Sequence, residues 1–257
     1  MKLTYLIFVV AGFYSMLMSA SSAENYSLWP RRPDELEQAR RLMQEGKRGE
    51  AVLLLQPYVT EEGVAGREAR QICGRVNIPR YLSRMHPGAV VYIVRRGDNM
   101  ARIAATQNCP QDVIMLLNGI VQPSSLQIGQ KLIVVPMRLR MEIRPLQREV
   151  SVWDGQQLVA DYPLTGMDNI PQSHQKTATL KLAARVGYQD GVAVLERSPQ
   201  YPSSERALVL SNGMCIVGGE NEHPGIQLRM EQKDLNELAM MLDKGNEVQI
   251  IYPKPQR

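Results

Sequence analysis

Between residues 89 and 136 the hydrophobic period changes from strand to helix and back within about fifty residues, which constrains this chain more than any other feature. A β-branched run at 89–94 has the composition of a strand. Met100, Ile103 and Ala104 then fall on one helical face, Val113, Ile114 and Leu117 fall on another, and 131–135 returns to a strand closed by Pro136. Breakers mark the junctions. Gly97-Asp98-Asn99 is a turn whose Asp98 is placed to cap the first helix, Pro110 suits the first turn of the second, and Asn118-Gly119 ends it. The order is strand, helix, helix, strand, so the two strands can pair and carry both helices on one face.

On either side the pattern differs. Residues 24–85 read as helical: Pro33-Asp34-Glu35 opens a first turn, Leu36, Ala39, Leu42 and Met43 recur at helical spacing, and Gly46 stops them. A second run carries Ala51, Leu54 and Leu55 before Pro57, and a third, at 65–76, is expected to show its scattered basic residues on an outer face. The connection Gly46-Lys47-Arg48-Gly49-Glu50-Ala51 resembles one tetratricopeptide-type hairpin, which implies a helical packing or spacer module, with a surface for a protein partner as the alternative. His86-Pro87-Gly88 is a short linker. From residue 138 onward strands dominate, with two hairpins expected at Asp154-Gly155 and Asn212-Gly213, a helical stripe of Leu235, Leu238, Ala239 and Leu242, and a last strand before Pro253. The fold class expected is a multidomain α+β chain with helical (24–85), strand–helix–helix–strand (89–136) and mostly β (138–253) parts.

Composition narrows the function. Of 257 residues, 44% are hydrophobic and 22% charged, which excludes a disordered, collagenous or polytopic membrane protein. Lys2, an apolar run at 3–18 and Ser21-Ser22-Ala23 read as a secretory signal at 1–23; a retained membrane anchor is the alternative. After cleavage no integral membrane segment is expected. Phe8 and Phe13 both lie in that leader, so the rest of the chain lacks phenylalanine and is not expected to offer sugars or bases an aromatic platform. The net charge of +4 is scattered among acids, which does not fit nucleic-acid binding. Cys73, Cys109 and Cys215 form no Cys-x-x-Cys pair, and His86, His174 and His223 are not spaced to hold a metal, so no metal, no cofactor and no disulfide are expected.

The run Tyr92-Ile93-Val94-Arg95-Arg96-Gly97-Asp98-Asn99-Met100-Ala101-Arg102-Ile103-Ala104, then Asn118, then Leu126-Gln127-Ile128-Gly129-Gln130-Lys131-Leu132-Ile133-Val134 and Pro136 resembles the LysM module. The resemblance implies binding of N-acetylglucosamine-containing glycans such as peptidoglycan in a shallow groove. By position the groove is lined by Gly97, Asp98, Asn99 and Met100 on one side and by Asn118, Gly119, Leu126, Gln127 and Ile128 on the other. Backbone amides and carbonyls on two turns can bond an acetamido arm without an aromatic plate, and Met100 and Ile128 are expected to meet its methyl group. For Asp98 and Asn118 taken singly, helix capping is the competing role.

Residues 138–252 resemble the L,D-transpeptidase catalytic domain. The resemblance rests on Val150-Ser151-Val152-Trp153-Asp154-Gly155, Tyr162-Pro163-Leu164-Thr165-Gly166, Ile216-Val217-Gly218 where that family has Ile-His-Gly, and Leu228-Arg229-Met230 where it closes Ser-His-Gly-Cys-Ile-Arg-Met. Gln175-Lys176-Thr177-Ala178 departs from the family's Thr-Pro-x-Gly. By the same alignment the nucleophile position falls on Gln227 and a histidine position on Val217, so the resemblance implies a domain without its catalytic Cys and His. Acyl transfer needs a thiolate and a base, and the chain's own candidates to replace them are Cys215 and His223. The reading is an exported periplasmic or cell-wall protein that binds peptidoglycan and has a degenerate transpeptidase-like domain. The alternatives are an active or divergent L,D-transpeptidase and a helical scaffold for a protein partner at the cell wall.

Overall fold

Three helices open the part of the chain described by the computed structural model, which covers residues 33–168, 170–171, 174–189, 192–195, 204–219 and 225–252. The expected leader at 1–23 and His223 lie outside the described residues. The helices are α1 (Pro33–Gln44), α2 (Arg48–Leu55) and α3 (Gly63–Tyr81). Asp34 and Glu35 in the first turn of α1 and Arg41 in its last both complement the helix dipole. α3 outruns the apolar spacing at 65–76 and carries Pro79 in its last turn.

The next unit is β1 (Val90–Ile93), α4 (Met100–Gln107), α5 (Gln111–Asn118) and β2 (Lys131–Val134), the order its periodicity predicts. β1 and β2 pair antiparallel, from Val90 against Val134 to Ile93 against Lys131. Ile103, Val113, Ile114, Leu117, Leu132 and Val134 fill the space between strands and helices.

The remaining strands are β3 (Leu139–Arg144), β4 (Glu149–Asp154), β5 (Gln157–Pro163), β6 (Gly166–Asp168), β7 (Ala178–Gln189), β8 (Val192–Leu195), β9 (Glu205–Leu210), β10 (Cys215–Gly218), β11 (Gln227–Met230) and β12 (Glu247–Ile250), with α6 (Gln232–Met241) before the last. They form a sheet in the order β5-β4-β3-β12-β7-β9-β10-β11-β6, with β8 beside β7. β12 lies parallel to β3 and β10 parallel to β11; the other pairs are antiparallel. β7 joins the two halves, since its first residues pair with β12 and its later ones with β9 and β8, on either side of an irregularity between Leu182 and Ala184.

Both hairpins form, with turns one register away from expectation. Asp154 pairs with Gln157, so the first loop is Gly155-Gln156 with Gly155 at φ +60, the glycine-first arrangement of a type II′ turn. The second has three loop residues, closed by the Leu210 N–H to Met214 O bond of 2.8 Å, with Gly213 at φ +85 in its last position. A glycine next to Asp or Asn fits either turn by sequence, and the strand pairing decides between them.

The outer face of β3, β4 and β5 is covered rather than left to solvent. Met141, Ile143, Val150 and Val152 point into the main core, while Arg140, Glu142, Arg144, Glu149, Ser151 and Asp161 occupy the opposite face, an alternation that reads as polar side out. Glu142, Arg144, Glu149, Ser151 and Asp161 are nevertheless buried. α3 lies along β5, close enough that a Cβ on Gly74 would stand 2.6 Å from the Asp161 nitrogen, a separation only glycine permits. Trp153 and Leu158 complete an apolar cluster with Ala39, Ala51, Leu55, Val59, Ala69 and Cys73 of the helices.

Arg70, expected on the outer face of α3, is fully buried. Its Nη2 donates to Glu149 Oε1 at 2.5 Å and its Nη1 to the carbonyls of Val59 and Glu61 at 2.9 and 2.8 Å. Asn77 Nδ2 donates to Leu158 O at 2.7 Å, and Arg144 and Arg140 both bond Glu142. Helices and sheet are therefore joined by a buried polar seam, in which Arg70 Nε, Glu149 Oε2 and Asp161 Oδ2 are left without a hydrogen-bond partner.

Two stability measurements follow from this seam. Arg70→Met leaves Glu149 buried without its main partner and should cost ~3–5 kcal/mol in a urea melt, whereas Arg70→Met combined with Glu149→Leu should cost less. Asp161 is pushed from 3.8 up to about 7, by burial first and then by the neighbouring charge of Glu149, against its hydrogen bond from Ser151. A carboxyl raised in the folded state contributes stability that is fully present below its unfolded value and is lost as pH rises through about 7. Asp161→Asn should therefore shrink the fall in Tm between pH 5 and pH 8; an unchanged fall would contradict the assignment.

Candidate functional site

Two turns of the same design stand side by side at one end of the β1–β2 pair. In the first, Arg95-Arg96-Gly97-Asp98, the Asp98 N–H donates to Arg95 O at 3.1 Å and Gly97, third in the turn, has φ +88, as a type II turn requires. In the second, Gln127-Ile128-Gly129-Gln130, the Gln130 N–H donates to Gln127 O at 3.0 Å and Gly129 has φ +85. Val94 fastens them together: its carbonyl accepts from Gly129 N at 2.8 Å and its N–H donates to Gln130 O at 2.9 Å.

Asp98 does not cap α4. Its carboxylate accepts from Arg95 N at 2.8 Å and from the Tyr92 hydroxyl at 2.7 Å. The Arg95 amide first, and Tyr92 second, hold it below the usual carboxylate range. The cap is Asn99, extended at φ −137 and ψ 165, whose Oδ1 accepts from Arg102 N at 2.9 Å. Both residue types are good caps, and the tyrosine six residues upstream is the sequence signal that assigns Asp98 to the turn. Gln130 is a second residue that sequence reasoning missed; its Oε1 accepts from Gln127 N at 3.0 Å and braces the second turn.

Of the expected groove residues, Gly97, Asn99, Gly119, Gln127 and Ile128 are exposed, and Asp98, Asn118 and Leu126 are half-buried. Met100 is 1% exposed and sits in the core beneath the first turn, so it offers no apolar contact to a ligand; Ile128, 72% exposed, does. Helical periodicity placed Met100 on the face shared with Ile103 and Ala104, and that face points inward. Asn118 donates to Ile114 O and Ile133 O, both at 2.7 Å, and accepts from Ile133 N at 2.8 Å. It clamps α5 to β2, while Gly119, φ +63, is the C-cap. The exposed turns thus present backbone donors and acceptors around one large apolar side chain, a surface that suits a polar ligand with a small apolar substituent.

The second candidate region lies on β10 and β11. Cys215 and Gln227 are register partners on these parallel strands, and Val217 stands opposite Arg229. The structure thus brings Cys215 beside Gln227. Val217 is fully buried, Gln227 is 3% exposed, and its Oε1 has no hydrogen-bond partner. The Cys215 thiol, half-buried and 3.8 Å from Gly213 O, is pushed up by burial. That shift opposes thiolate formation. Arg229 Nε bonds the Asp168 carboxylate and ties β11 to β6. Among the described residues there is no group of three His, Cys, Asp or Glu side chains able to hold a metal ion, and no helix long and apolar enough to cross a membrane.

The three thiols should differ in reactivity. Burial raises Cys73 to about 12 and Cys109 to about 11. Iodoacetamide at pH 7.5 should label Cys215 slowly, more slowly than a free cysteine, and should reach Cys73 and Cys109 only after unfolding, as followed by mass spectrometry. Fast labelling of Cys215 would show an activated thiol.

Residues 92–135 match the family model for the LysM domain. No curated protein matches the chain. Among solved structures, the chain is similar to the Bdellovibrio bacteriovorus protein Bd1075 (15% identity, TM-score 0.32, covering 45% of this chain and 48% of that one). Others are an L,D-transpeptidase of Enterococcus faecium (8%, 0.31, 44% and 50%) and one of Mycobacterium tuberculosis (12%, 0.30, 49% and 64%). The chain spans about half the length of the first two. Likenesses of this size carry no argument about fold or activity; the LysM match places a LysM domain on the βααβ unit.

Proposed function

We propose that the chain is an exported peptidoglycan-binding protein of the periplasm or cell wall, which docks on N-acetylglucosamine-containing glycan through the paired turns of its LysM domain. The observation that carries this reading is the geometry of those turns: two glycine-centred loops fastened through Val94, with exposed backbone around Ile128. The apolar stretch at 3–18 supports export. A single shallow groove buries little of a ligand, so one domain binds weakly and tight retention needs many contacts along a polymer.

On this reading the β domain keeps a transpeptidase-like layout without the chemistry. Acyl transfer needs a nucleophile, a base to deprotonate it and donors for the oxyanion. Gln227 and Val217 supply neither of the first two. One observation favours a second reading, a divergent L,D-transpeptidase: Cys215 stands in register with Gln227, next to the expected nucleophile position. The raised thiol weighs against it.

A single preparation tests both readings. The protein should be retained on purified sacculi, and Ile128→Asp should reduce retention several-fold; a chain that washes through alongside a retained LysM control would overturn the docking reading. Incubation with muropeptides carrying tetrapeptide stems should give no new cross-links. Cross-links lost in Cys215→Ala would establish the divergent enzyme.

A further inference from the structure

We infer that the groove prefers carboxylate-bearing glycan to neutral glycan, because Arg95, Arg96, Arg102 and Lys131 form a cationic rim around it; the inference rests on the glycan-binding reading of the same groove. Arg95 and Arg96 are the first two residues of the first turn, and Arg96 holds the corner position that Ile128 holds in the second. Arg102, in the first turn of α4, reaches back so that its Nη1 donates to Gly97 O at 3.3 Å. Lys131 opens β2 directly after the second turn, opposite Ile93. All four are exposed.

The acids of this domain offset the rim only in part: Asp98 feels the charges of Arg102 and Arg95 but forms no ion pair with either. Asp98 turns its carboxylate to the Arg95 amide and the Tyr92 hydroxyl, inside the turn. Asp112, at the start of α5, is held at 3.1 Å by Arg185 of β7. None of the four rim side chains forms an ion pair with a described carboxylate. Like charges on the first turn, on α4 beside it and at the start of β2 repel one another, and an anionic ligand relieves that repulsion where a neutral one cannot. Guanidinium groups also pair with carboxylates through two parallel hydrogen bonds. Each contact lies in water and is worth little singly, so the preference is modest and sensitive to salt.

Two sources supply this chemistry on a wall glycan: a carboxylate carried by the sugar itself, or one at the end of an attached peptide. The test is titration calorimetry of the whole chain with three ligands of similar length, namely chitopentaose, glycan fragments stripped of their peptides with the sugar carboxylates free, and fragments with peptides intact. At low salt one or both charged ligands should bind about three- to tenfold more tightly than chitopentaose, and the advantage should collapse at high salt. If the stripped fragments carry it, the sugar carboxylate is the source; if only the intact ones do, the peptide is. In Arg95→Gln/Arg96→Gln the ratio of charged to neutral affinity should fall towards one, and Arg95→Lys/Arg96→Lys should restore most of it. The turn's hydrogen bonds at Arg95 are backbone bonds, and a melting curve checks that the variants fold. Chitopentaose binding with no advantage for the charged ligands, or an advantage kept in the Gln variant, would overturn the preference while leaving the groove standing. Failure of all three ligands would overturn the groove reading and the preference together.

Discussion

The buried contact between Arg70 and Glu149 sets the arrangement of the N-terminal half of the molecule. Two ions removed from water carry a desolvation cost of several kcal/mol each, which their attraction offsets only with good geometry and further hydrogen bonds. Arg70 has both, at 2.5 Å from Glu149 and with two backbone carbonyls on Nη1. Those carbonyls belong to Val59 and Glu61, so the same guanidinium fixes the segment between α2 and α3 as well as the helix on the sheet. α3 then lies against β5 at the distance Gly74 allows, and α1 and α2 close over Trp153 and Leu158.

A second arginine does comparable work at the other end. Arg185, buried on β7, bonds Asp112 of the LysM domain and the carbonyls of Ala239 and Leu242 at the end of α6. It supplies a cation where the α6 dipole is negative and joins three elements at one point. Met137 N–H to Asn108 O, at 2.7 Å, fastens the LysM domain to the chain leaving it. The paired turns are therefore presented from a domain held to the large sheet.

How much of this was legible depended on the range of the deciding interaction. The βααβ unit could be read because each junction carries its own breaker within a few residues: Gly97, Pro110, Gly119 and Pro136 act locally. The capping role falls to Asn99 and not Asp98 because the Arg95 amide and the Tyr92 hydroxyl hold the Asp98 carboxylate, and a hydroxyl six residues away leaves no periodic mark. Met100 was placed on the correct helical face, but which way that face points is settled by packing. The charged face of β3 to β5 could not be read as buried, since alternation is the same whether water or a helix covers it, and the covering helix lies some eighty residues upstream: Arg70 and Glu149 are separated by 79 positions.

The place of β12 has a consequence for the order in which the molecule can be assembled. It lies between β3 and β7 in the sheet, yet it is the last of the described strands in chain order. While the chain emerges from a ribosome, β3, β4 and β5 can pair with one another and with α3, but the inner edge of β3 stays open until β12 has been made. Its long-range partner, Asn246 Nδ2 on Leu139 O, is 107 positions away. Completion of the sheet is thus a late event of high contact order, and until then an unpaired strand edge is available to any neighbouring chain. A chain cut short before Glu247 loses the strand that links β3 to β7.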